Sequence, residues 1–82
     1  DEEARFLDLK LALAGGLRRK REREGLSQTA LAKMIESSQS RVAKIEAGDR
    51  SVTLDLIVRS LLAMGTSPRG LARIISGAKQ AA

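Results

Sequence analysis

Apolar positions recur along this chain at helical intervals. Phe6, Leu9, Leu13 and Leu17 share one row, which predicts a helix from about residue 4 toward Glu24 with one face turned inward. Gly15-Gly16 interrupts that row at a cost of roughly 1 kcal/mol each relative to Ala, and so marks either a kink or a close approach by another helix. Gly25 ends the segment. Ser27 is placed to cap a second helix over about 28–36, with Leu31, Ala32 and Ile35 on one face. Ser38 is placed to cap a third over about 39–47, with Val42 and Ile45 inward and Gly48 as its stop. Thr53 precedes Leu54, Ile57, Leu61 and Met64, a fourth helix closed by Gly65. Ser67-Pro68 is a cap followed by Pro at the first helical position, and Gly77 is expected to close the fifth helix. No stretch alternates apolar and polar residues over a strand's length, so the fold class is all-α, a compact five-helix bundle with an extended N-terminal helix. Residues 1–77 are expected to form one domain and 78–82 a flexible tail.

The spacing of the second and third helices carries the functional information. Only Glu36-Ser37-Ser38 separates them. Two short helices joined by so tight a turn, behind a basic helix, describe a helix-turn-helix at about 28–47. At 100° per residue, Val42, Ile45 and Glu46 point inward, Ser40 and Lys44 point outward, and Arg41 lies on one flank. A small, polar outer face with one Lys and one Arg fits a major groove, whereas acids there would repel phosphate. Gln39, Ser40 and Lys44 are the base-edge candidates, since Gln can pair with adenine and Lys can reach guanine acceptors. Gln28 stands in the first turn of the second helix, where a phosphate can be gripped from the positive end. Ser27, Ser38 and Arg41 flank the same surface and are further candidates for contacts to the DNA backbone. Arg21 continues the row of Leu13 and Leu17 at i+4 and so faces the core. A cation there needs a partner, and Glu46 is the inward acid, so an Arg21–Glu46 pair is predicted.

The stretch from Leu13 to Met64 resembles the Cro/C1-type (XRE) helix-turn-helix family. The matching residues are Gly25-Leu26-Ser27-Gln28, Leu31-Ala32, Ser38-Gln39-Ser40-Arg41-Val42, Ile45-Glu46-Ala47-Gly48 and Ser51-Val52-Thr53-Leu54-Asp55-Leu56. Within that family the pattern is similar to short HigA-like antitoxin regulators. The resemblance implies a lambda-repressor-like bundle that binds duplex DNA. It also implies Gln28, Arg50 and Ser51 on the sugar-phosphate backbone, and the same Arg21–Glu46 pairing. One position departs from the pattern: the family has Gly where this chain has Glu36. Glu there either takes a left-handed backbone at some cost, or the turn is built differently.

Composition narrows the function further. The 82 residues fit one domain, and fifteen Lys+Arg against ten Asp+Glu give a net charge of +5, which favours a polyanionic partner. Cys, His, Trp and Tyr are absent and Phe6 is the sole aromatic residue. Disulfides, thiolate metal sites, the usual general base and base-stacking platforms are thereby excluded, so neither an enzyme nor a cofactor or metal is expected. No apolar run approaches the roughly 20 residues of a membrane span, and the acidic start is unlike a signal peptide. A cytoplasmic location, on the nucleoid when DNA is bound, is expected. The run from Arg18 to Glu24 reads as a solvated helix face, with Arg18 and Arg19 as further candidates for phosphate.

The expected function is a sequence-specific DNA-binding transcriptional regulator, a repressor, acting as a homodimer because one module this small covers about half a site. Leu71, Ile74 and Ile75 on the fifth helix are the candidate dimer surface, and Phe6, Leu7 and Leu11 compete with them. Either cluster serves equally well as intramolecular core. The alternative is an antitoxin whose main partner is a toxin protein, with DNA autoregulation secondary.

Overall fold

The computed structural model describes residues 1–80. Its helices are α1 (Glu2–Arg23), α2 (Gln28–Met34), α3 (Gln39–Glu46), α4 (Leu54–Ala63) and α5 (Pro68–Gln80), with no strand among the described residues. Each begins on a side chain that accepts the first free backbone N–H. Asp1, Ser27, Ser38, Thr53 and Ser67 take up the amides of Ala4, Ala30, Arg41, Leu56 and Gly70 at 2.9–3.2 Å. These bonds satisfy donors that the first turn of a helix otherwise leaves open.

The first four helices end alike. The N–H groups of Leu26, Ser37, Asp49 and Thr66 reach back to the carbonyls of Arg21, Ala32, Lys44 and Leu61 at 2.8–3.1 Å, the closure that requires one residue in the left-handed region. Glycine fills that place at three of the ends, and Glu36, at φ 54°, fills it at α2. The turn is therefore not rebuilt around Glu36; the residue adopts the strained geometry, and α2 stops at Met34 rather than at 36.

α1 is the spine, packed against α3, α4 and α5, while α2 packs on α3. Leu13, Leu17, Leu31, Val42, Ile45, Val52, Ile57 and Leu61 form the buried centre. The inward row of α1 is Lys10, Leu13, Ala14, Leu17 and Arg21. That corrects the expected row at its start, where Phe6 is 46% exposed and Leu9 only partly buried. α1 runs unbroken through Gly15-Gly16. A Cβ on Gly16 would come within 2.7 Å of Ile74 Cδ1, so Gly16 serves the close approach of α5 and not a kink. Leu71 and Ile74 are partly buried against the core, and of the three α5 candidates Ile75 is the exposed one. α5 also continues through Gly77, where an end was expected, to Gln80. The expected tail from residue 78 thus overlaps the helix, and its last two positions lie outside the described residues.

Candidate nucleic-acid interface

The α2–α3 unit rests on a buried ion pair. Arg21 Nε donates to Glu46 Oε2 at 2.5 Å and Nη2 to Oε1 at 3.0 Å, a two-pronged geometry that suits a guanidinium and a carboxylate. Both side chains are nearly closed to solvent, at 11% and 4% exposed. The third arm, Nη1, donates to the Leu26 carbonyl at 2.8 Å, tying the α1–α2 turn to the same centre. Hydrogen bonding to Glu46 raises the already high pKa of Arg21 against the opposing effect of burial, so the guanidinium stays charged. The predicted pairing is present.

A hydrogen-bonded row leads outward from it. Gln28 Nε2 donates to Glu46 Oε1 at 3.1 Å, and Gln39 Nε2 donates to Gln28 Oε1 at 2.6 Å. The first residues of α2 and α3 are therefore joined to each other and to the core. Each amide nitrogen has two hydrogens, so Gln28 and Gln39 each keep one donor for a ligand, and Gln39 keeps its Oε1 as an acceptor.

Beyond Gln39, Ser40, Arg41 and Lys44 of α3 are exposed, as are its cap Ser38, Arg50 and Ser51 in the following loop, and Ser27 before α2. Arg41, Lys44 and Arg50 make no ion pair among the described residues. The hydroxyls of Ser38 and Ser40 lie 3.2 Å apart. Ser27 and Ser38 accept capping amides, which leaves each hydroxyl proton able to donate elsewhere. Ser51 is differently placed. Its amide and hydroxyl both donate to Asp49 Oδ1, at 2.8 and 2.6 Å. Those bonds, the hydroxyl first, hold the Asp49 carboxyl below its ordinary pKa. Arg18 pairs with Glu22 on the outer side of α1.

Sequence reading missed Lys10. It is 6% exposed, and its Nζ donates to the Asp49 carbonyl at 3.0 Å, across from α1 to the loop that carries Arg50. The signal was present: position 10 precedes Leu13 and Ala14 by three and four, in the row that ends at Arg21. Its neighbour Leu11 lies over the same turn, where a Cβ on Gly48 would come within 2.5 Å of Leu11 Cδ2. Gly48, at φ +68°, is required by its backbone, and the end of the Leu11 side chain rests in the space it leaves.

No helix among the described residues is long and apolar enough to cross a membrane. No curated protein and no solved structure matches the chain. A family model described as helix-turn-helix matches residues 17–71, more than half of the sequence and all of α2, α3 and α4. The capped, tightly joined α2–α3 pair and this match agree, and the chain belongs to the Cro/C1-type helix-turn-helix family of DNA-binding regulators.

Proposed function

We propose that the protein is a sequence-specific repressor that lays α3 in the major groove of duplex DNA and acts as a homodimer. Gln39, Ser40 and Lys44 read base edges. Ser27, Gln28, Ser38, Arg41, Arg50 and Ser51 hold the flanking phosphates, with the Ser51 hydroxyl turning from Asp49 to do so. The row Arg21–Glu46–Gln28–Gln39 supports this most directly. It fixes an exposed amide at the start of α3 before any DNA arrives, so less side-chain freedom is lost on binding. A helix face that merely meets solvent has no use for such a tether.

Two-fold pairing would place two α3 helices about 34–36 Å apart, one turn of the duplex. Phe6, Leu11 and Ile75 are exposed apolar residues of α1 and α5 available to a second copy. The antitoxin reading draws on the same residues. Phe6 and Leu11 lie in the part of α1 that precedes the family-matched segment, a place suited to a toxin partner.

Selection of duplexes from a random pool by the purified protein tests the proposal. Enrichment of an inverted repeat with half-sites one turn apart is expected. Absence of any enrichment at about 50 mM salt, with a stoichiometric co-purifying partner protein, would replace it with the antitoxin reading.

A further inference from the structure

We propose that a second site lies between the C-terminal half of α1 and the start of α5, and that it takes the polyphosphate group of a small molecule. The cleft there has a volume of about 610 Å³, within the roughly 300–1,000 Å³ of small-ligand sites. Arg19, Lys20 and Arg23 of α1 and Arg73 of α5 line it, and no acidic residue does. Of the residues considered above for DNA, only Arg19, a candidate for backbone phosphate, lines it.

The arginines of the cleft differ from the cations that are paired along α1 and α4. Arg18, Lys20 and Arg59 each meet an acid one turn away, Glu22, Glu24 and Asp55. The residue one turn beyond Arg19 is instead Arg23, a like-charged neighbour that disfavours the helix. Arg19, Arg23 and Arg73 make no ion pair among the described residues. No acid opposes these cations in the cleft lining, and a cleft concentrates the resulting positive potential. A bound anion of several charges would relieve it.

Thr66 also lines the cleft. It is nine-tenths buried, and its Oγ1, itself closed to solvent, has no hydrogen-bond partner among the described residues, where buried hydroxyls in native proteins normally have one. The wall beside it is bare backbone: a Cβ on Gly70 would come within 2.9 Å of the Thr66 methyl group. Guanidinium forks grip phosphate oxygens in pairs. No aromatic side chain lines the cleft, so its charges are matched to the phosphates of a ligand.

Inorganic pyrophosphate, titrated calorimetrically into the whole chain, tests this site. Saturable one-to-one binding is expected for the unaltered protein. Arg19→Gln combined with Arg73→Gln should weaken it by at least about tenfold, given the strength of charge-assisted bonds to phosphate. Arg5→Gln combined with Arg59→Gln removes the same charge elsewhere and should leave binding within about twofold, as general charge attraction is screened by salt. Thermal melts of all variants establish that they fold. Absence of saturable binding, or equal weakening by the two double variants, would overturn the proposal. The same would follow if the Arg19/Arg73 variant lowered the salt dependence of duplex binding by about two phosphate contacts, because the cleft would then belong to the DNA backbone.

Discussion

Gln28 and Glu46 meet at 3.1 Å, so the acid that neutralises Arg21 also steadies the residue that steadies Gln39. One carboxylate thereby links the folding of the domain to the posture of its groove-facing end. Gln28→Ala removes the middle of that row without removing charge. Affinity for the selected site should fall by about 1–3 kcal/mol, the worth of a well-placed polar contact, while the salt slope stays fixed because no counterion release is lost. Binding isotherms at several salt concentrations check both halves.

Lys44 and Arg50 should differ in kind. Lys44→Ala is expected to cost on the order of 1–3 kcal/mol at the preferred site and to relax discrimination at one base pair. Arg50→Ala should weaken all sequences alike and reduce the salt slope by about one. Identical profiles for the two variants would show that the assignment of base edge and backbone is mistaken.

The Arg21–Glu46 pair lends itself to a double-mutant cycle on unfolding free energy. Removing one partner strands the other charge, at about 3–5 kcal/mol for a buried pair, a large part of the stability of a small domain. Arg21→Met with Glu46→Leu should be far milder, since no orphan charge remains. It will not be free of cost. The Leu26 carbonyl loses its guanidinium donor and Gln28 loses its acceptor, each worth about 1 kcal/mol. A coupling energy near zero in the cycle would contradict the buried geometry.

Glu36→Gly should stabilise the protein. Glu36 holds a left-handed backbone in a closure that Gly25, Gly48 and Gly65 make without strain, and a side chain there costs roughly 1 kcal/mol. Glycine also loosens the unfolded chain, which opposes part of the gain, so a rise of about 0.5–1 kcal/mol in unfolding free energy is the expected result. A lowered melting temperature would mean that the Glu36 side chain contributes a stabilising interaction of its own.

The same residue shows what the sequence made legible and what it did not. Capping residues, stops and the inward positions of α2 to α4 followed from local chemistry, because a cap bonds to an amide three residues away and a helical row repeats every turn. The buried ion pair was legible for a similar reason: each partner lay on an inward row, and a buried charge requires an opposite one. Packing between distant segments was not legible. Leu71 and Ile74 were indistinguishable from an outward surface until the approach of α5 to Gly16 was known. Gly77 looked like a stop, yet α5 passes through it, since a lone glycine weakens a helix by only about 1 kcal/mol and does not end it. Lys10 went unread because of its residue type, whereas its position in the row of Leu13 and Leu17 pointed inward. Position prevailed over residue type because a backbone carbonyl stood within reach of its ammonium group.

That ammonium group gives the last prediction. Lys10 Nζ donates to the Asp49 carbonyl across 39 positions of sequence, and Arg50 follows immediately in the exposed loop. Lys10→Met keeps the buried stem and removes the donor. Stability should change little, by about 1 kcal/mol or less, because burying the charge already offsets much of what its hydrogen bond contributes. DNA binding should respond more than folding does. A loop freed from its anchor must be ordered again when it meets phosphate, at about 1 kcal/mol per residue fixed, so affinity should fall several-fold for every sequence alike, whereas discrimination between sequences should persist. Combining Lys10→Met with Arg50→Ala provides the sharper measurement. If Lys10 acts through Arg50, the double variant should bind little worse than Arg50→Ala alone, a non-additivity expected of two residues serving one contact. Simple addition of the two losses would instead make Lys10 an independent contributor, and the anchoring role of α1 would have to be given up.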